Sequence, residues 1–300
     1  GVLTGQYRQD RDLVNVFGGW SKGLIDGWTR RYSAGLDYLK DDNELVPGQP
    51  PPTKLPQDEV RVSPFIRYEL IEDSFTKTKN RDQIERAEFF LLGFRSDLKL
   101  GYAATALGST RPAWSYAASV SDGWAMPGNR ILVMEGAVAG VYAEGQNEDQ
   151  LLSGSVEYYI PQSNRAQTYI GLAVDMARDV NESNQLTLGG ENGLPGYPDD
   201  YQSGDRRALF NVEQRLYSDW FPFRLFRVGG AVFFDAGRAW GGEASNTTDP
   251  GWLSDVGFGL RLFSVRSAFG TVWHLDFAFP INPTDDIPDY QVLIFSKTGF

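Results

Sequence analysis

Hydrophobic and polar residues alternate with a period of two along nearly the whole chain. Between Leu151 and Pro161, Leu152, Val156, Tyr158 and Ile160 share one face with Gly154. Ser153, Ser155, Glu157 and Tyr159 share the other. After the short turn Gln162-Ser163-Asn164, Ile170, Leu172, Val174 and Met176 oppose Tyr169, Gly171, Ala173 and Asp175. Val60–Asp73 sets Val62, Ile66, Tyr68 and Leu70 against Arg61, Ser63, Arg67 and Glu69. Such alternation predicts strands with two unlike faces. A soluble sandwich would bury the apolar face as core. A membrane barrel would turn it to lipid and line its lumen with the polar face. Alternation alone does not separate the two.

Three further features favour the barrel. Stretches such as Ile25–Asp42, Glu85–Thr105 and Asn129–Glu144 exceed an ordinary soluble strand. Aromatics cluster near strand ends, at Trp20, Trp28, Trp114, Trp124, Tyr142, Trp220, Phe221, Trp240 and Trp252. Short turns (Gln162–Asn164, Asp219–Pro222) alternate with long polar loops (Asp41–Asp58, Val180–Ser203, Gly241–Pro250, Asn282–Asp289). Strands are expected at 2–8, 12–20, 26–41, 59–72, 85–105, 113–123, 130–143, 150–161, 166–178, 205–218, 223–239, 252–264, 271–280 and 290–300. The fold class is thus all-β, an antiparallel transmembrane β-barrel with a best count of 14 strands in a range of 12–16. No helix, tandem repeat or linker interrupts the pattern, so residues 1–300 read as a single barrel domain. Pro47–Pro56, with five prolines, reads as an extended loop between strands.

Composition narrows the classes. No apolar run approaches the roughly 20 residues of a membrane helix, and mean hydropathy is -0.35. A net charge of -11 argues against nucleic acid. Cysteine is absent, which excludes a disulfide-stapled design. No secretory signal opens the chain, so an envelope protein starting here is expected to be mature or trimmed. His274, the single histidine, shares inward parity with Asp276, but no Gly-x-Ser-x-Gly accompanies it. No catalytic residues, metal or cofactor are therefore expected, and the chain is not read as an enzyme. The acidic pairs Asp41-Asp42, Asp199-Asp200 and Asp285-Asp286 read as solvated loop charge, with calcium or lipopolysaccharide bridging as the other reading.

Three motifs between residues 188 and 300 resemble the BamA/TamA superfamily of outer-membrane assembly and secretion barrels. That group includes two-partner-secretion transporters and patatin-type autotransporter barrels. The first is Leu188-Gly189-Gly190-Glu191-Asn192-Gly193-Leu194-Pro195-Gly196-Tyr197-Pro198. It resembles the family's loop signature, two glycines and then Arg-Gly-Tyr or Arg-Gly-Phe, which folds into the lumen. Gly189, Gly190, Gly193, Gly196 and Tyr197 are in place, but Pro195 stands where the family has arginine. The resemblance implies that loop 180–203 enters the lumen without the arginine that locks it. The second motif, Phe233-Phe234-Asp235-Ala236-Gly237, resembles the family's Phe-x-Asp-x-Gly strand. Parity turns Arg227, Phe233 and Asp235 inward and Val228, Val232 and Phe234 outward. The third is the closing strand, where Tyr290, Val292 and Ile294 share parity with Phe300. It resembles the C-terminal assembly signal of outer-membrane barrels.

The inward charges Arg207, Glu213, Arg215, Arg227, Asp235 and Asp276 either line a conductive path or form a network that holds the inserted loop; the second is favoured. Arg215 is the expected partner of Asp235. The resemblance implies polypeptide translocation or membrane-protein insertion at the outer membrane of a Gram-negative bacterium, through a weak seam between first and last strands or by exit of the loop. The alternative is a short barrel acting as a passive pore or a lipid- or surface-interacting structural protein. Expected partners are outer-membrane lipids and lipopolysaccharide, the barrel-assembly machinery during biogenesis, a client polypeptide and a second copy in a homodimer, with no nucleic acid. The periplasmic domains that receive clients in this family are absent from these residues.

Overall fold

The computed structural model describes residues 7–48, 55–81, 83–179, 185–242, 251–266, 271–281, 283–284 and 287–297. The first strands are β1 (Tyr7–Ile25), β2 (Trp28–Leu45) and β3 (Glu59–Glu72). A small hairpin follows, β4 (Phe75–Lys79) with β5 (Ala87–Leu91), then β6 (Arg95–Ala103), β7 (Ala113–Met126) and β8 (Arg130–Ala143). Next come β9 (Gln146–Ser163), β10 (Ala166–Arg178), a second small hairpin of β11 (Leu186–Leu188) and β12 (Gln202–Gly204), and β13 (Arg206–Tyr217). The chain continues through β14 (Phe226–Trp240), β15 (Leu253–Ser264), β16 (Val272–Pro280) and β17 (Gln291–Lys297). Among the described residues, 13 strands outside the two hairpins form one antiparallel sheet in chain order.

Exposure settles which face is the core. On β10, Leu172, Val174 and Met176 are exposed, whereas Gln167, Gly171 and Ala177 are buried. The apolar face is the outer one, the reverse of a sandwich. The aromatics add a length scale. Tyr102, Trp114 and Tyr142 sit side by side across β6, β7 and β8, and Trp20, Tyr32 and Tyr68 do so across β1, β2 and β3. On the outer face of β7, Trp124 lies ten residues beyond Trp114, roughly 33 Å of strand. At the usual tilt that is about 25 Å along the membrane normal, the height of a barrel's apolar band.

The sheet curls around a lumen. Arg215 Nη1 on β13 donates to Arg81 O at 3.0 Å, and Tyr217 Oη donates to Asn80 O at 2.5 Å, joining the ninth sheet position to a connection that leaves the third. Among the described residues the terminal strands β1 and β17 each pair on one side only. β1 is exposed on both faces along nearly its whole length. Connections differ by end. One end carries tight turns such as Asp26-Gly27, 127–129 and 164–165; the other carries 46–58, 104–112, 179–205 and 281–290. The link 73–94 is the exception at the short-turn end, and the two-residue turn 144–145 between β8 and β9 is the exception at the other.

Three expectations are corrected. Tyr7 and Arg8, the described part of the expected strand 2–8, run on into the expected strand 12–20 as one strand, because the polar run Gln9–Asp12 that suggests a break pairs in register with Lys40–Asn43. There Arg11 Nε meets Asp41 Oδ1 at 2.6 Å. This takes the count from 14 to 13, inside the expected range. The expected strand 85–105 is two, divided where Leu92 and Gly93 donate to Ser74 O at 2.8 and 3.0 Å and turn the chain back. The hairpins within 73–94 and 185–204 were read as strand or loop, because strands this short show no periodicity. Residues 1–6 and Phe300 lie outside the described residues.

Val120→Arg, on the outer face of β7, is expected to cost about 2–4 kcal/mol of stability in lipid vesicles. Ser119→Asn, on the lumenal face, is expected to cost well under about 1 kcal/mol. Denaturant unfolding of both variants checks the assigned faces.

Candidate functional site: the lumen and its inserted loop

The loop between β10 and β13 enters the lumen from the long-loop end as a narrow finger. β11 and β12 pair in register, Leu186 with Gly204 and Leu188 with Gln202. Beyond them the chain folds tightly, with Gly190 N–H donating to Tyr197 O at 2.9 Å and Tyr197 N–H to Leu194 O at 3.0 Å. Two glycines are needed for different reasons. Gly193 sits at φ +115, where side chains are strained. Gly196 lies so near β15 that a Cβ would fall 2.7 Å from Asp255 Cβ.

Apolar and polar contacts both anchor the finger. Leu188, Leu194 and Tyr197 are buried in a cluster with Ala239, Leu253 and Ile287. Gly196 N–H donates to Asp255 Oδ2 at 2.6 Å. Tyr197 Oη donates to Ser254 O at 3.1 Å, and burial holds that phenol above the usual tyrosine range. Gln291 Nε2 on β17 donates to Gly196 O at 3.3 Å. Gln202 Oε1 accepts from Ala239 N–H at 2.8 Å.

The expected network divides into separate pairs. Arg207 bonds Asp175 at 2.8 Å and Thr187 O of the finger at 3.0 Å, so it holds the loop directly. Arg215 pairs with its neighbour Glu213 at 2.7 Å. Asp276 pairs with Arg261 on β15. The expected contact of Arg215 with Asp235 is not formed. Asp235 instead accepts from the Asn211 amide, its register partner, because the Arg215 side chain is drawn to Glu213 and to Arg81 O. Across β14 and β15, Asp235 and Asp255 are register partners whose carboxyls face one another. No arginine or lysine pairs with either among the described residues. Arg227 lies away from this group, stacked on Phe221 of the turn before β14 at 4.2 Å. Pro195 lines the same cavity of about 780 Å³ as Asp235 and Glu213. Val292 and Ile294 point outward from β17, and Tyr290 just precedes it.

Asp255 and Arg261 were missed in the sequence, although parity marked them. Both alternate with the outward residues Val256, Phe258 and Leu260. Arg81 carried no such signal, because it stands in a connection with no period.

No protein-family model matches the sequence, and no curated protein matches it. Solved structures do. CdiB from Escherichia coli aligns over 97% of this chain at 14% identity and a TM-score of 0.52. CdiB from Acinetobacter baumannii aligns over 95% at 14% identity and a TM-score of 0.50. The chain therefore shares its fold with these two structures. BamA from Haemophilus ducreyi aligns over 97% at 12% identity and a TM-score of 0.41. This barrel spans about half the length of the CdiB chains, 50% and 55%.

Two substitutions test the anchoring of the finger. Asp255→Ala leaves Gly196 N–H buried without an acceptor, an expected loss of about 1–3 kcal/mol, read as faster proteolysis of the loop and a lower unfolding temperature. Pro195→Arg aims a cation into the cavity that Asp235 lines beside Asp255, and is expected to stabilise the barrel by about 1–3 kcal/mol. An unchanged or lower unfolding temperature for Pro195→Arg would mean that the carboxyls do not lack a cation.

Proposed function

We propose that this chain is an outer-membrane barrel of a Gram-negative bacterium that passes or inserts polypeptide. The observation that carries the reading is the manner in which the lumen is filled. The finger is not packed all round like the core of a small barrel. It is anchored on one side, by the buried Leu188–Leu194–Tyr197 cluster and by a few bonds, chiefly Arg207 to Thr187 O, Asp255 to Gly196 and the Tyr197 hydroxyl, and a cavity of about 780 Å³ remains beside it. A segment held at named points can leave as a unit. The likeness to CdiB supports the architecture of such a barrel. The outer edges of β1 and β17, which have no partner strand among the described residues, supply a second route, in which an incoming strand adds to a free edge.

A passive pore is the second reading. It is favoured by the small side chains of the β7–β10 wall, where Ser119, Ala137, Ser153 and Ala173 line a further cavity of about 350 Å³. Reconstituted vesicles discriminate between them. A urea-unfolded outer-membrane barrel is added outside, and its folding is followed by gel mobility and its entry by protease protection. Folding or entry several-fold faster than in empty vesicles, lost on deleting Leu188–Tyr201, is the expected result. Ion leakage with no effect on the added polypeptide would leave the passive pore as the function.

A further inference from the structure

The link between β3 and β6 is far longer than any other at the short-turn end, and although Phe75 and Phe89 on its strands are exposed, its tip at Asn80, Arg81 and Ile84 is buried. β4 and β5 carry it across the lumen, and its tip docks on the far wall. Ile84 is buried in a cluster with Tyr217, Ala231, Phe263 and Val272, which belong to β13, β14, β15 and β16. Asn80 Nδ2 donates to Asn164 O in the β9–β10 turn at 3.0 Å. Asn80 O and Arg81 O accept from Tyr217 and Arg215. Leu92, at the other end of the link, packs on Ile131 and Tyr159. The link therefore touches β8 and β9 on one side and β13–β16 on the other, and spans the mouth opposite the finger.

We infer that this link is a releasable closure of the short-turn mouth, governed by Arg81. The guanidinium stacks on Phe90 of the link at 3.6 Å and on Tyr159 of the wall at 4.4 Å. Its ion pair with Glu157 is long, 3.7 Å. Its Nε and Nη1 are buried without a hydrogen-bond acceptor among the described residues. A buried cation with unmet donors is costly to keep in place, while stacking on two aromatics holds it. Asn80 and Glu85, which flank the tip, both adopt left-handed backbone, at φ 62 and 59, a conformation that persists where surroundings impose it. The tip is thus held by its dock rather than by its own preference, as a part that detaches would be. The inference rests on the lumen being a passage, and it adds that the passage is shut from both ends by different segments.

Planar-bilayer conductance separates the two ideas. One variant lacks Leu188–Tyr201; a second also has Phe75–Leu91 replaced by a two-residue Asn-Gly turn, and heat-modifiable gel migration confirms that both fold. The first is expected to conduct little and the second at least about tenfold more. If the first already conducts as well as the second, the lumen is a passage but the link does not close it. If both are silent, the passage and its closure both fail. A second readout needs no deletion. Ile84→Cys introduces the only thiol of the chain, and labelling by a membrane-impermeant maleimide is expected to be slow, and at least about tenfold faster when Arg81→Ala is added. Equal labelling rates would overturn the role of Arg81.

Discussion

Every backbone N–H and C=O within hydrocarbon must find a partner inside the protein, because lipid offers none. The 13-strand ladder meets that demand along every strand but the outer edges of β1 and β17 among the described residues, and the rest of the molecule follows from it. A continuous antiparallel sheet of tilted strands must curl, and curling gives it an outside and an inside. The outside takes Leu, Val, Met and an aromatic band at each end. The inside receives the other half of every strand and must satisfy the polar groups placed there.

The interior meets this demand locally. Charges meet charges of the other sign on neighbouring strands, directly across for Arg11 and Asp41 and for Arg207 and Asp175, and diagonally for Arg67 and Asp97 and for Arg261 and Asp276. Such pairs tie adjacent strands without crossing the lumen. What crosses it are two connections, one from each end. Asp235 and Asp255, opposed in register, have no such cation among the described residues. Asn211 and the backbone of Gly196 do there what a cation does elsewhere in the wall.

The fold was legible because a strand exposed to lipid on one face writes its geometry into every second residue. The parity of Val232, Phe234, Phe233 and Asp235 was readable before any coordinates. The loop finger was legible only through its resemblance to a family signature, since Gly189–Tyr197 has no period. The partner of Asp235 was not legible. Parity tells which face a residue is on, whereas partner choice depends on register and reach, and register put Asn211 beside it. The inserted link was illegible for a third reason. Its short strands, β4 and β5, are too brief to show alternation, and Ile84 has no apolar neighbours in sequence to mark it as a core residue.

The positions in the chain that the link joins also constrain its folding. Asn80 meets Tyr217 across 137 residues of sequence, whereas β9 and β10 meet through a two-residue turn. Contacts of such separation carry a large loop-closure entropy, and they form after the local hairpins have reduced it. The dock for Ile84 is built from β13–β16, so it exists only once those strands have assembled. The barrel wall therefore precedes its own stopper, and each newly folded molecule passes through an unstoppered state before it reaches the one described here.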